Sequence, residues 1–233
     1  GHPRLAGARA DPFAVWVDGW RLGAVAEGFA PLRLEARAGA TVVDLVLEPV
    51  KPPVLQGDRG LSAKGPGQAS YYYTLPRLAA SGALELDGVR HAVQGFAWFD
   101  REWSTSLLSA GQVGWDWFGL QFDDGEELMA FRLRRDDSAR DPYDHGSWIA
   151  RDGRARHLEP ADFELVPLRY WRDGAGVRWP VEWEIRLADR APLRVVAALD
   201  DQRMDTLLVY WEGLVRVLDE RGRRIGAGYM ELT

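Results

Sequence analysis

The sequence contains no cysteine and no asparagine, and only two lysines, Lys51 and Lys64, in 233 residues. The first absence excludes a disulfide framework, thiolate metal sites, iron–sulfur clusters and a thiol nucleophile. The second removes every acceptor for N-glycosylation. The third makes nearly all of the positive charge guanidinium, which stays protonated in proteins. No run approaches the roughly 20 apolar residues of a membrane-spanning helix, and Gly1-His2-Pro3-Arg4 is not followed by a signal-peptide core. A net charge of −6 and a pI near 5.3 argue against a nucleic-acid partner, because such binding rests on an excess of cations facing phosphates.

Familiar catalytic signatures are missing as well. There is no Gly-x-Ser-x-Gly elbow, no phosphate-cradling Gly-Lys-Ser/Thr loop, no His-Glu-x-x-His and no dinucleotide fingerprint. The four histidines, His2, His91, His145 and His157, are scattered, with no two at metal-ligand spacing. The acidic stretch from Arg134 to Gly146 lacks the ligand spacing of a calcium loop at Asp136, Asp137, Asp141 and Asp144, and reads as a solvated hairpin loop. No metal and no cofactor is expected.

What is present is strand periodicity and tryptophan. Leu32 to Ala38 and Trp179 to Leu187 alternate apolar and charged residues, the pattern of half-buried antiparallel strands. Five Asp-Gly pairs, at Asp18, Asp87, Asp124, Asp152 and Asp173, supply the positive backbone angles of tight hairpins. Helix should stay below about 15%, against the usual 30 to 35%; Glu159 to Phe163, with Pro160 at its start, suits a single helical turn. The Pro- and Gly-rich segment from Glu48 to Pro76 breaks the alternation and reads as a domain junction. The division is therefore 1–76 and 77–233. About four strands precede the junction, too few to close a barrel, and about ten follow it. An open sheet edge near residues 10–48, or a missing segment or second chain covering it, is expected.

Eleven tryptophans fall in clusters that need a cavity or a thick core. Two runs combine them with charge. In Gly95 to Ser104, read as a strand, Trp98, Asp100 and Glu102 share one face, and Phe99, Arg101 and Trp103 the other. Two carboxylates about 6 to 7 Å apart on one face form either an acid/base pair or the partners of neighbouring arginines. In Gly114 to Gly125, Trp115 and Trp117 share a face opposite Asp116, and either face can be the inward one.

The ordered set Lys51-Pro52-Pro53-Val54-Leu55-Gln56-Gly57-Asp58, Ala69-Ser70-Tyr71-Tyr72-Tyr73, Trp98 to Ser104, Gly114-Trp115-Asp116-Trp117 with Leu120-Gln121, and Tyr210-Trp211-Glu212-Gly213 with Gly228 to Thr233 resembles the AttH-like, carotenoid 1,2-hydratase (hydroxyneurosporene synthase) superfamily. The resemblance implies an all-β chain of two lipocalin-like (calycin-type) antiparallel β-barrels, the first incomplete here because family members carry an earlier segment. It implies hydration or cyclisation of an elongated hydrophobic, polyene- or isoprenoid-like substrate, and a periplasmic or secreted location, with cytoplasmic as the alternative. The candidate catalytic residues are Asp100, Arg101, Glu102 and Asp116, with Asp116 or Asp100 as proton donor. The candidate substrate-binding residues are Tyr72, Trp103, Trp115, Trp117, Gln121 and Tyr210. Arg101 stands where the family commonly has histidine; as a permanent cation it cannot exchange protons, and a bidentate carboxylate partner is expected for it, with Asp116 as the candidate. Three readings stay open: an enzyme, a carrier whose aromatic residues wall a hydrophobic ligand cavity, and a solid barrel core filled by Trp and Tyr.

Overall fold

The computed structural model describes residues 5–104, 108–204 and 209–233. Strands dominate, as the alternation dictates: β1 (Ala6–Arg9), β2 (Ala14–Val17), β3 (Trp20–Ala24), β4 (Leu32–Ala38), β5 (Thr41–Pro49), β6 (Val54–Leu55), β7 (Leu61–Gly65), β8 (Gln68–Leu86), β9 (Val89–Trp103) and β10 (Gln112–Phe122). They continue as β11 (Glu127–Arg135), β12 (His145–Ile149), β13 (Ala155–Leu158), β14 (Phe163–Arg172), β15 (Arg178–Leu187), β16 (Arg190–Ala197), β17 (Arg203–Met204), β18 (Tyr210–Leu218) and β19 (Arg224–Leu232). Among the described residues the helical content is one 3₁₀ turn, Pro160–Asp162, where Glu159 and Asp162 close a reciprocal capping box. The fold is all-β and lipocalin-like, built of curled antiparallel sheets.

The chain divides into two compact units. One comprises Gly1–Pro53 with Leu75–Phe99, the other Val54–Thr74 with Asp100–Thr233. This differs from a division at residue 76, because β8 and β9 are long enough for each to supply strand to both units. In the first unit, β1 to β5 form a meander, and β5 pairs Val42–Pro49 with Leu78–Glu85 of β8. The ladder ends in an open edge at β1, just before the range 10–48 in which an edge was expected, while β2, β3, β4 and β5 each have a strand on both sides. Leu32, Leu47, Leu75 and Leu78 make its buried core, with Phe13, Phe29 and Phe99 packed against them.

In the second unit the sheet runs β13-β12-β11-β10-β19-β18-β16-β15-β14, with β17 added to β18. Its end strands, β13 and β14, are consecutive in sequence and joined through the 3₁₀ turn. One face is packed solid. Phe118, Leu120 and Phe122 of β10 meet Trp148, Trp179, Trp183 and Trp211 there, and each of these indole N–H groups finds an acceptor: Glu126, Asp173, the Pro180 carbonyl and the Asp200 carbonyl. For these four tryptophans the filled-core reading holds. The loop between β11 and β12 is solvated over residues 136–140, as expected, but not throughout. Asp141 and Asp144 are buried, Asp141 accepting from Gln112 Nε2 and Tyr143 N, and Asp144 from Leu133 N. The loop spends these carboxylates on its own backbone and neighbours.

Candidate functional site

The Asp87-Gly88 turn has positive φ at both residues, 49° and 79°, the conformation a two-residue hairpin needs. It folds β9 back along β8, and strand alternation does the rest. Within the second unit, Ser70, Tyr72 and Thr74 project from one face of β8 toward Asp100 and Glu102 of β9. The Tyr72 hydroxyl donates to Asp100 Oδ2 at 2.7 Å, and the Thr74 hydroxyl to Asp100 Oδ1 at 2.7 Å. The Ser70 hydroxyl donates to Glu102 Oε1 at 2.5 Å, and Lys64 Nζ of β7 lies 2.6 Å from the same oxygen. Ser70, Tyr72 and Thr74 are buried, at 1%, 5% and 0% exposure, whereas Asp100 is half-buried and Glu102 more open.

β10 closes the cluster. Its packed face carries Phe118 and Leu120, so Trp115 and Trp117 point from the opposite face. Trp117 Nε1 donates to the Tyr72 hydroxyl at 3.1 Å, and Trp115 Nε1 to Glu231 Oε1 at 2.8 Å. Trp117 and Glu231 are direct partners in the β10–β19 ladder, and Glu231 is opposite Glu212 in the β18–β19 ladder. Burial, reinforced by the charge of Asp100 and its hydrogen bond, holds the Tyr72 phenol well above its ordinary range. Burial also pushes the Glu231 carboxyl up, and the neighbouring charges of Glu212, Asp100 and Glu102 add to it against the Trp115 hydrogen bond. Tyr210 is raised by burial and by Glu212, Glu231 and Tyr229.

Behind these groups lies a second layer contributed by the Pro- and Gly-rich junction. Gln56, fully buried, donates from Nε2 to Thr74 Oγ1 at 3.1 Å and accepts at Oε1 from the Ser147 hydroxyl at 2.7 Å. Ser62 lies 3.4 Å from His145 Nε2. Burial drives the His145 imidazole down to about 3, so the ring is neutral.

Of the residues marked in the sequence, Tyr72, Asp100, Glu102 and Trp117 meet in this cluster, and Trp115 and Tyr210 join it through Glu231. Gln121 is on the same face of β10, four residues beyond Trp117. Arg101 and Trp103 are on the other face of β9, where the exposed Trp103 ring stands 5.8 Å from Tyr71 and 6.3 Å from Tyr73, with the Arg101 guanidinium 5.7 Å from its centroid. Asp116 is almost fully buried on the opposite, core-facing side of β10. The expected Arg101–Asp116 pair is corrected: Asp116 is held by Arg132 Nε at 2.6 Å and Arg134 Nε at 3.5 Å, and among the described residues no carboxylate lies within ion-pair distance of Arg101. The reason is alternation. Asp116 and Arg132 are register partners on adjacent strands. Burial pushes Asp116 up in spite of the two guanidiniums.

Sequence reading gave no role to Gln56, Lys64, Ser70, Thr74, Ser147, Glu212 and Glu231, although Gln56, Ser70, Glu212 and Glu231 lie within the motifs that carry the family resemblance. Period-two counting from Tyr72 reaches Ser70 and Thr74 at once. The others are brought in by pairing between distant strands. Chemically, the arrangement offers one carboxylate that receives two buried hydroxyls, one carboxyl that burial keeps toward its protonated form, an ammonium–carboxylate pair, and the π faces of two tryptophans. That is the equipment for giving a proton at one group and taking one at another.

The AttH-like family model matches residues 1–233. The chain is similar to kievitone hydratase of Fusarium solani subsp. phaseoli, 20% identical over 184 residues that cover 77% of this chain and 51% of the relative. It thus spans about half the length of that protein. Among solved structures it is similar to an AttH protein from Nitrosomonas europaea, with a TM-score of 0.86 and 35% identity over 94% of this chain and 69% of that one. Kievitone hydratase from Nectria haematococca shares the fold, with a TM-score of 0.77 and 17% identity over the same shares of the two chains. With the family model matched from end to end and the Nitrosomonas protein 35% identical over nearly the whole chain, the chain belongs to the AttH-like family.

Proposed function

We propose that the Tyr72–Asp100–Glu231 cluster is the acid–base site of a hydratase that adds water across a carbon–carbon double bond of an elongated hydrophobic substrate. The carrying observation is that Asp100 receives the Tyr72 and Thr74 hydroxyls beside Glu231, whose carboxyl is pushed up by burial. Glu231 gives its proton to one alkene carbon, which leaves positive charge on the other. The indole faces of Trp115 and Trp117 stabilise that charge. Water bonds to the cationic carbon and releases a proton to Asp100, so the net change is addition of H and OH, and solvent returns the proton from Asp100 to Glu231. If an internal double bond of the substrate attacks in place of water, the same residues perform a cyclisation.

The curated relative is named kievitone hydratase, which favours water as the nucleophile. The replacement of the family's histidine by Arg101 does not weigh against this reading, because Arg101 is on the face of β9 turned away from Asp100. A polyene or isoprenoid-like substrate is the class that the family resemblance suggests.

The test is incubation with a panel of polyene and isoprenoid alkenes in ¹⁸O-labelled water, with products analysed by mass spectrometry. One ¹⁸O per product is expected, and at least a hundredfold loss in Asp100→Asn and Glu231→Gln, consistent with general acid–base contributions of roughly 10²- to 10⁴-fold. A panel that binds without gaining label or rearranging points to the carrier; label retained in both variants removes the two residues from the mechanism.

A further inference from the structure

The hydrogen bonds around Asp100 run in one direction. Ser147 Oγ donates to Gln56 Oε1 at 2.7 Å, Gln56 Nε2 donates to Thr74 Oγ1 at 3.1 Å, and Thr74 Oγ1 donates to Asp100 Oδ1 at 2.7 Å. Ser147, Gln56 and Thr74 are 2%, 0% and 0% exposed, so none of the three turns to bulk water for an alternative partner. The polarity is forced by chemistry. A carboxylate only accepts, so Thr74 must present its hydrogen to Asp100, and its lone pairs then require a donor. The donor is the NH₂ end of Gln56. The oxygen end of that amide is therefore turned to β12, where the Ser147 hydroxyl meets it.

The backbone holds Gln56 rigidly. Its N–H donates to the Tyr72 carbonyl at 3.0 Å. The next residue, Gly57, has φ of 65°, and a Cβ there would stand 2.4 Å from the Leu61 carbonyl oxygen, so only glycine fits the turn that carries the amide inward. The same Tyr72 thus takes the Gln56 main chain with its carbonyl and reaches Asp100 with its phenol.

We propose that Gln56 is a positioning residue for Asp100: its amide, clamped by Ser147, fixes the Thr74 hydroxyl hydrogen on Asp100 Oδ1 and thereby keeps that carboxylate ionised and oriented as the base. This rests on the reading of Asp100 as the base and assigns to the Pro- and Gly-rich junction a part in the chemistry. Without the amide donor, the Thr74 hydroxyl is free to rotate, and Asp100 loses a hydrogen bond to its charged form, which favours protonation. Other charged or titratable groups facing Asp100 include Tyr72 from β8, Glu102 on its own strand with Lys64 of β7 behind it, and Glu231 from β19. None of them is altered in the variants below.

The experiment reads the Asp100 carboxyl directly, by NMR titration of protein ¹³C-labelled at aspartate carboxyl carbons, with the Asp100 resonance identified by its loss in Asp100→Asn. Gln56→Leu and Thr74→Val are each expected to move its midpoint upward by about one pH unit. The double variant is expected to move it no further than either single one, because both act through one hydrogen bond. Ser147→Ala, which keeps the amide but frees it, is expected to give a smaller shift of the same sign, and it serves if Gln56→Leu does not fold. An unmoved midpoint in Gln56→Leu or Ser147→Ala, or shifts in Gln56→Leu and Thr74→Val that simply add, would overturn the proposal. Because no substrate is involved, the result stands apart from the hydration assay: label incorporation without coupling refutes the positioning role alone, and coupling without turnover refutes the hydratase reading alone.

Discussion

Tyr72 and Asp100 are 28 residues apart in the chain and share a 2.7 Å hydrogen bond, the phenol donating, beneath the indole N–H of Trp117. Neither strand contributes it alone. The Asp87-Gly88 turn must set the β8–β9 pairing, because a slip of one residue would turn Asp100 to the face of Trp103 and bring Arg101 under Tyr72. The site therefore depends on one hairpin register, and that register is visible in its contacts.

Tyr72→Phe is expected to destabilise the protein by about 1–3 kcal/mol, since it removes the hydroxyl that accepts from the Trp117 N–H and donates to Asp100. Urea unfolding measures it. A change below about 0.5 kcal/mol would mean that water replaces the phenol without cost and that the cluster is more open than described.

For Glu231 the folded carboxyl is raised above its unfolded value by burial and by Glu212, Asp100 and Glu102. The folded state then binds more protons than the unfolded state in the window above the ordinary carboxylate range, and stability falls as pH rises through it. Glu231→Gln keeps an acceptor for Trp115 and removes the charge. It is expected to melt at a higher temperature than the parent at pH 8 and at the same temperature below about pH 4. Equal melting temperatures at both pH values would show that Glu231 ionises freely.

Much of the fold is legible in the residues. Alternation marked β4 and β15, the Asp-Gly pairs marked turns, and Pro160 marked the one helical turn. The residues Asp100 and Glu102 were recognisable as same-face neighbours because the strand period is two. What was not legible is what stands across from them. Asp116 has the same composition of neighbours as a catalytic acid, yet its partner is decided by the β10–β11 register, which sets Arg132 opposite. Gln56 and Lys64 lie in a segment whose prolines and glycines signal only punctuation; their roles come from docking against β8, β9 and β12, a long-range event with no local signature.

Asp116 is buried and paired with the partly buried Arg132, which also stands 5.0 Å over the Trp183 ring and donates to the Leu165 carbonyl. Removing the cation leaves the carboxylate with a weaker partner in Arg134. Arg132→Met is expected to cost about 3–5 kcal/mol, and the paired change Asp116→Leu with Arg132→Met much less. Denaturant unfolding of the single and double variants measures this. Equal destabilisation in both would show that packing against Trp183, not charge, is what Arg132 supplies.

The last expectation concerns two neighbours that titrate against each other. Burial depresses His145 from 6.5 to about 3 and raises Asp144 from 3.8 to about 6. For His145 the unfolded state binds more protons between about pH 3 and 6.5, so its contribution is complete above 6.5 and is lost as pH falls through that window. For Asp144 the folded state binds more protons between 3.8 and about 6, so stability is lost as pH rises there. The two slopes have opposite sign across pH 4 to 6, so this pair together adds little to the pH dependence of stability in that interval. Replacing the imidazole separates them. His145→Gln retains a group able to meet Ser62 but does not titrate, so its stability relative to the parent should fall as pH rises from 4 to 6, while Asp144→Asn should show the reverse slope relative to the parent. Chemical denaturation at half-unit pH steps measures all three profiles. Parallel profiles for the parent and both variants would mean that neither group titrates within the fold as its burial requires.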